Sequence, residues 1–210
     1  MPALHDIVTF AVASLALLVI PGPAVIYILN RSVADGREVG LAAVAGLELG
    51  NLVHVLAASV GLSAVLATSA TAFNMVKWLG AGYLIFVGIR TLLIAPTAIE
   101  GLGGSMSRRR SFLQGIVVNT LNPKVALFFV SYLPQFIDRD QGGAWSQALV
   151  LGVIFVAIGC ITDASYAVMA SALRTVLVNG RSLPFVQRYV AGSVFVGLGL
   201  LATRASSRGH

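Results

Sequence analysis

The chain has 210 residues, 57% of them hydrophobic and only 10% charged, with a mean hydropathy of +0.89. Soluble domains carry about 25% charged residues, so this chain cannot clothe a water-facing surface, and lipid must cover most of it. The net charge of +6 does not point to nucleic acid, because the arginines sit in short loops between apolar runs, as the positive-inside rule produces.

Taken in order, residues 7–30 form an apolar run without Asp, Glu, Lys or Arg and with no basic residue before it. A signal-peptide core is about 7–15 residues long behind a basic segment, so this run reads as a retained first helix, residues 6–29. Pro21-Gly22-Pro23 interrupts it. Two prolines remove amide donors and free carbonyls one turn earlier. The helix is expected to restart near Pro23, exposing amides that favour an anion.

After Asp35-Gly36-Arg37-Glu38 comes a second span, 39–66, holding Glu48, Asn51 and His54. His54 shares a face with Gly46 and Gly50, a small-xxx-small pattern that brings helices close, and reads as a packed histidine. The third span, 74–95, opens with Lys77-Trp78-Leu79-Gly80-Ala81-Gly82, and the long connection 96–110 is glycine-rich and flexible. The fourth span, 112–133, is broken by Asn122-Pro123-Lys124. The fifth, 145–172, carries Asp163, with Gly159 and Tyr166 on its face; the sixth, 185–203, opens with Arg188-Tyr189-Val190-Ala191-Gly192-Ser193. Cys160 is the one cysteine, which excludes an intrachain disulfide, thiolate cluster or redox pair; it reads as a small helix-packing residue.

The fold class is therefore an all-α membrane protein of six transmembrane helices in one polytopic domain, residues 1–210. Each half has a proline break in its first span and a glycine-rich opening in its third. Three-helix halves have opposite orientations, so the pattern predicts a 3+3 inverted repeat, residues 1–100 and 108–205, with substrate at the repeat interface near the midplane. Arg31, Arg37, Arg108, Arg109, Arg110, Arg174 and Arg181 place the first, third and fifth connections in the cytoplasm and both termini outside, with Arg204 and Arg208 opposing.

Charges within a span cost about 2.5–3.5 kcal/mol and are functional candidates by default. Counted from the cytoplasmic ends, Glu48, Lys124, Asp163 and the Pro21–Pro23 break all fall about 12–18 Å deep, near the midplane of a core about 30 Å thick. The candidate substrate-binding set is Pro21, Gly22, Pro23, Glu48, Asn51, Asn122, Pro123, Lys124, Asp163 and Tyr166. Asp163 and Glu48 are also the candidates for carrying a coupling proton. The alternatives are packing kinks at the prolines, and a structural ion pair of Lys124 with Glu48 or Asp163.

Together, Pro21-Gly22-Pro23 and the segments 40–54 (GLAAVAGLELGNLVH), 77–88 (KWLGAGYLIFVG), 115–136 (GIVVNTLNPKVALFFVSYLPQF) and 192–202 (GSVFVGLGLLA), with Asp163 and Tyr166, resemble the LysE-type amino-acid exporters, and within them the threonine/homoserine exporter-like group. The resemblance implies an antiporter of the bacterial inner membrane, exporting neutral threonine-, homoserine- or leucine-like amino acids on the proton-motive force. Its partners would be the amino acid, protons and lipid, without nucleic acid or cofactor. The chain departs from many relatives at Ala24, where they place a polar or acidic residue, and at Glu48, where they are not uniformly acidic. The glycines of spans three and six would pack within one subunit or across a homodimer.

Rival readings are a divalent-metal exporter, a thiol redox enzyme and a non-transporting structural subunit. A metal site needs several ligands, and Glu48, His54 and Asp163 are few, with His54 about 120° round the helix from Glu48; no metal site is expected. Cys160 alone cannot run thiol redox chemistry, and no nucleophile–base set appears, so no enzyme activity is expected. Packing alone would not require midplane charges beside paired helix breaks.

Overall fold

The computed structural model describes residues 2–68, 105–138 and 143–172, with Met75, Trp78 and Ile89 as isolated helical positions; of 62–68 it describes the backbone only. Among the described residues every element is helical: α1 (Leu4–Val19), α2 (Pro23–Asp35), α3 (Arg37–Thr68), α4 (Arg108–Thr120), α5 (Pro123–Ser131), a 3-10 turn (Leu133–Phe136) and α6 (Ala144–Ala172). Two helical stretches are long and apolar enough to cross a bilayer unbroken, Arg37–Gly61 and Ala144–Ala172. Two further pairs pass the same test but are bent, α1 with α2 by 52° and α4 with the segment Pro123–Phe136 by 44°. Both bends fall at the two proline motifs. Counting each bent pair as one span gives up to 4. The expected third and sixth spans, their glycine-rich openings, and with them the six-helix count and the inverted repeat, lie outside the described residues.

Two boundaries differ from expectation. The first connection contracts to Gly36, whose φ of 88° suits a residue without a Cβ, so α2 runs to Asp35 and α3 starts at Arg37. Arg108, Arg109 and Arg110, expected in a loop, form the first turn of α4, because the Ser107 hydroxyl accepts from the Arg110 amide and caps it.

Glycine sets the tightest seam. A Cβ at Gly46 would overlap the Phe112 carbonyl oxygen, one at Gly50 would lie 2.8 Å from Asn119 Cβ, and one at Gly115 would lie 2.7 Å from the Ala43 carbonyl oxygen. The backbones of α3 and α4 therefore touch, as the small-xxx-small pattern expects. α1, α5 and α6 enclose an aromatic core in which Phe128 packs against Phe10, Tyr132 and Phe155 with ring centroids 5.3–5.5 Å apart. Cys160 is exposed.

At one end, α2 is tied to α4. The Tyr27 hydroxyl donates to the Ser111 carbonyl (2.9 Å), and the Ser111 hydroxyl donates to the Val39 carbonyl (3.0 Å). Asp35 pairs with Arg31 (2.9 Å) and accepts from the Met106 amide (3.1 Å), and exposed Glu38 pairs with Arg108 (3.0 Å). The first connection and the start of the fourth span thus share one end of the bundle.

Candidate functional site

The site grows out of the first break. In an unbroken helix the Val19 carbonyl would accept from residue 23 and the Ile20 carbonyl from residue 24. Pro23 has no N–H, and α1 ends instead with the Ile20 amide on the Leu17 carbonyl (3.2 Å). Both freed carbonyls find partners on other helices: Val19 accepts from the Tyr166 hydroxyl of α6, and Ile20 from the Lys124 ammonium of α5 at 2.6 Å. The lysine stem lies across Gly22, where a Cβ would come within 3.0 Å of Lys124 Cδ. α2 then starts at Pro23, with Gly22 as its N-cap and no side-chain cap, so the amides of Ala24 and Val25 have no helical acceptor.

The second break is finished differently. The Asn122 side chain accepts from the Lys124 amide (3.1 Å), so the start of α5 is capped from within. The two amino ends are therefore unequal: that of α2 is open, and that of α5 is closed.

A chain of buried amides connects this break to α3. Asn119 donates to the Leu47 carbonyl (2.7 Å) and to Asn51 Oδ1 (2.6 Å), and accepts from Asn122 Nδ2 (3.1 Å). Asn51 in turn donates to Glu48 Oε2 at 2.9 Å. His54 Nε2 donates to the Asn119 carbonyl (2.8 Å) while its ring stacks on Phe129, which is the packed role expected of it.

Glu48 is 6% exposed and rests on the bare Cα of Gly159; a Cβ there would lie 2.7 and 2.8 Å from the two carboxyl oxygens. Its Oε1 has no donor among the described residues. Asp163, one turn beyond Gly159 and 3% exposed, meets the Glu48 carboxyl side chain to side chain, close enough for the two to share a proton, and interacts electrostatically with Lys124. Among the described residues Lys124 is not within 4 Å of either carboxyl, but it interacts electrostatically with Asp163.

These groups surround a cavity of about 20 Å³, room for one or two water molecules. Gly22, Ala24 and Val25 line it from the first break, Asn51, Asn119, Asn122 and Lys124 from α3 to α5, and Asp163 from α6, with Leu17, Leu18 and Val125 as its apolar wall. Five residues of the expected set therefore meet there: Gly22, Asn51, Asn122, Lys124 and Asp163. Pro21, Pro23 and Pro123 make the breaks, Tyr166 serves the Val19 carbonyl, and Glu48 stands behind Asp163 without lining the cavity. Sequence reasoning missed Asn119, and it expected freed carbonyls at the first break without their partners Tyr166 and Lys124. Asn119 carried a signal: a carboxamide inside an apolar run, three residues before Asn122.

The LysE type translocator family model matches residues 15–206. Among curated proteins the chain is 29% identical over 207 residues to an uncharacterized membrane protein of Vibrio cholerae, covering 97% of this chain and 99% of the relative. It is 30% identical over 197 residues to a homoserine/homoserine lactone efflux protein of Salmonella typhimurium (93% and 95% covered). A leucine efflux protein of Klebsiella pneumoniae is 28% identical over 192 residues, 90% of each chain. No solved structure matches. The matched span takes in both proline breaks, the amide chain and both buried carboxyls, and the chain belongs to the LysE type translocator family.

Proposed function

We propose that this chain exports neutral amino acids of the homoserine, threonine or leucine type across the bacterial inner membrane, as an antiporter driven by the proton-motive force. The observation that carries the reading is the convergence, on one cavity between two helix breaks, of a cationic and amide-rich wall with a buried carboxyl. A zwitterion has two charged ends, and each finds its complement there. The substrate carboxylate takes the open amides of Ala24 and Val25 and the Lys124 ammonium; its ammonium group takes Asp163. The names of the Salmonella and Klebsiella relatives, which match over nine-tenths of the chain, support an amino acid as cargo. The arginine-bearing connections face the cytoplasm and both termini lie outside.

The test is efflux from proteoliposomes loaded with labelled threonine, homoserine, leucine, lysine or a divalent metal, with and without an imposed pH gradient. Gradient-dependent movement of a neutral amino acid is expected, and Asp163→Asn is expected to abolish it in protein that still inserts and stays monodisperse. Movement of metal alone, or of nothing in that panel, would overturn the reading.

A further inference from the structure

The two buried carboxyls are not equivalent. Asp163 lines the cavity and has Lys124 as its cation. Glu48 lines no part of it and lies behind, wedged against Gly159, held through Oε2 by Asn51 and meeting the Asp163 carboxyl, with no donor to Oε1 among the described residues. The groups facing Glu48 can be taken helix by helix. From α6 come the Asp163 carboxyl and the Cys160 thiol, from α4 the neutral Asn119 through Asn51, and on its own helix the neutral Asn51. Lys124 of α5 acts on Asp163. One lysine thus stands against two carboxyls, and an unpaired buried charge is heavily penalised.

We infer that the two carboxyls divide the coupled cycle, Asp163 holding the substrate ammonium and Glu48 holding the exchanged proton at Oε1. The inference rests on the amino-acid export reading and deepens it. In the empty carrier, Lys124 balances Asp163 and the proton neutralises Glu48. An arriving zwitterion draws Lys124 towards its carboxylate and sets its own ammonium between the carboxyls, where it replaces the proton as the cation nearest Glu48. Proton and substrate then exclude one another, which is the condition for exchange rather than leak. The step is a simple protonation: H⁺ adds to Oε1 from the outer aqueous phase and leaves to the cytoplasmic one. Gly159 belongs to this device, because any side chain there would displace the carboxyl from its seat.

Three readouts on full-length protein separate this inference from the export reading. They are gradient-driven homoserine efflux, homoserine exchange at equal pH on both sides, and proton release into weakly buffered detergent solution when homoserine is added. Glu48→Gln is expected to lose proton release and gradient-driven efflux, and whatever homoserine exchange it keeps should no longer depend on pH. Its coupling ratio, ordinarily about 5–150-fold for linked ligands, should fall to one. Asp163→Asn is expected to lose all three. Glu48→Asp, with a shorter carboxyl, should restore proton release, which distinguishes a proton site from a packing defect. Proton release or gradient-driven efflux by Glu48→Gln, or failure of Glu48→Asp to restore proton release, overturns the division of roles. Wild-type vesicles that exchange no amino acid overturn the export reading itself.

Discussion

Gly46→Ala is the sharpest test of how this bundle holds its site. The new Cβ would overlap the Phe112 carbonyl oxygen and sit 2.9 Å from its carbon and 3.1 Å from the Ile116 amide nitrogen. All three are backbone atoms, so no rotamer change relieves the clash, and α3 and α4 must separate. Overpacking of this kind costs about 1–3 kcal/mol. The same seam carries the Asn119 bonds to Leu47 and Asn51, at 2.7 and 2.6 Å. A separation on the order of 1 Å takes both past the outer limit for a hydrogen bond. Leaving those buried groups unpaired costs about 1–3 kcal/mol more, for a total of about 2–6 kcal/mol. At about 2–4 °C per kcal/mol for a chain of this size, the melting temperature of purified protein should fall by at least about 4 °C. Gly61→Ala is the control. Nothing among the described residues lies within 4 Å of its Cβ position, and alanine is about 1 kcal/mol the better helix former. If Gly46→Ala melts together with the wild type while Gly61→Ala behaves as expected, the backbone-contact argument is refuted.

Three further outcomes are expected. Asn119→Leu keeps the volume but strips partners from the Leu47 carbonyl, Asn51 and Asn122; it should lower thermal stability by about 1–3 kcal/mol per stranded group and stop homoserine efflux. Tyr27→Phe removes the bond from α2 to the Ser111 carbonyl. With Cys160→Ala to clear the background, Ala24→Cys should then react faster with a water-soluble thiol reagent than it does with Tyr27 intact. Glu38→Gln breaks an ion pair whose partners are 75% and 70% exposed, so melting temperature and efflux should both hold, within about 0–1 kcal/mol.

The features legible in the sequence were those where a residue type breaks a rule of the bilayer. Pro21, Pro23 and Pro123 announced the two bends because a missing amide is a local fact. Glu48, Lys124 and Asp163 announced the site because a charge deep in an apolar run needs a partner. Their common depth followed from counting residues at the helical rise, and the structure brings them to one place. What stayed hidden depends on pairs distant in sequence. That Lys124 would land on the Ile20 carbonyl, 104 positions away, and Tyr166 on Val19, cannot be read from spacing, since it rests on how α5 and α6 rotate against the break. The difference between the carboxyls was equally hidden, because Glu48 and Asp163 look alike as buried acids until Gly159 is seen beneath one and the cavity before the other. Asn119 was overlooked for a simpler reason. A carboxamide costs less to bury than a charge, so it drew less notice than Lys124 five residues later.

A cavity of about 20 Å³ cannot hold an amino acid, so the proposed export requires a second arrangement of these same helices. The packing limits which of them can supply it. α3 and α4 are in backbone contact at Gly46 and Gly115 and are tied through Asn119. α1, α5 and α6 share the interlocked rings of Phe10, Phe128 and Phe155. α2 differs. It begins at a break that supplies no continuous backbone hydrogen bonding and ends at Gly36, whose left-handed conformation separates it from α3. Its apolar contacts are two small clusters, Val25, Leu29 and Val33 against Ala170, and Ile28 against Val44, Leu47 and Ala167. It also touches α3, where a Cβ at Gly40 would lie 3.1 Å from Ser32 Cα, and it is held at that end by the Tyr27 bond to the Ser111 carbonyl and the Met106 amide bond to Asp35. It is nonetheless a 13-residue rod with a break at each end, the arrangement of a hinged element. Its amino end carries the Ala24 and Val25 amides beside the cavity, so a swing of α2 would widen the site and carry the proposed anion-binding wall with it. For that reason the thiol-reactivity test places its probe at position 24 and its perturbation at Tyr27, one turn away on the same rod.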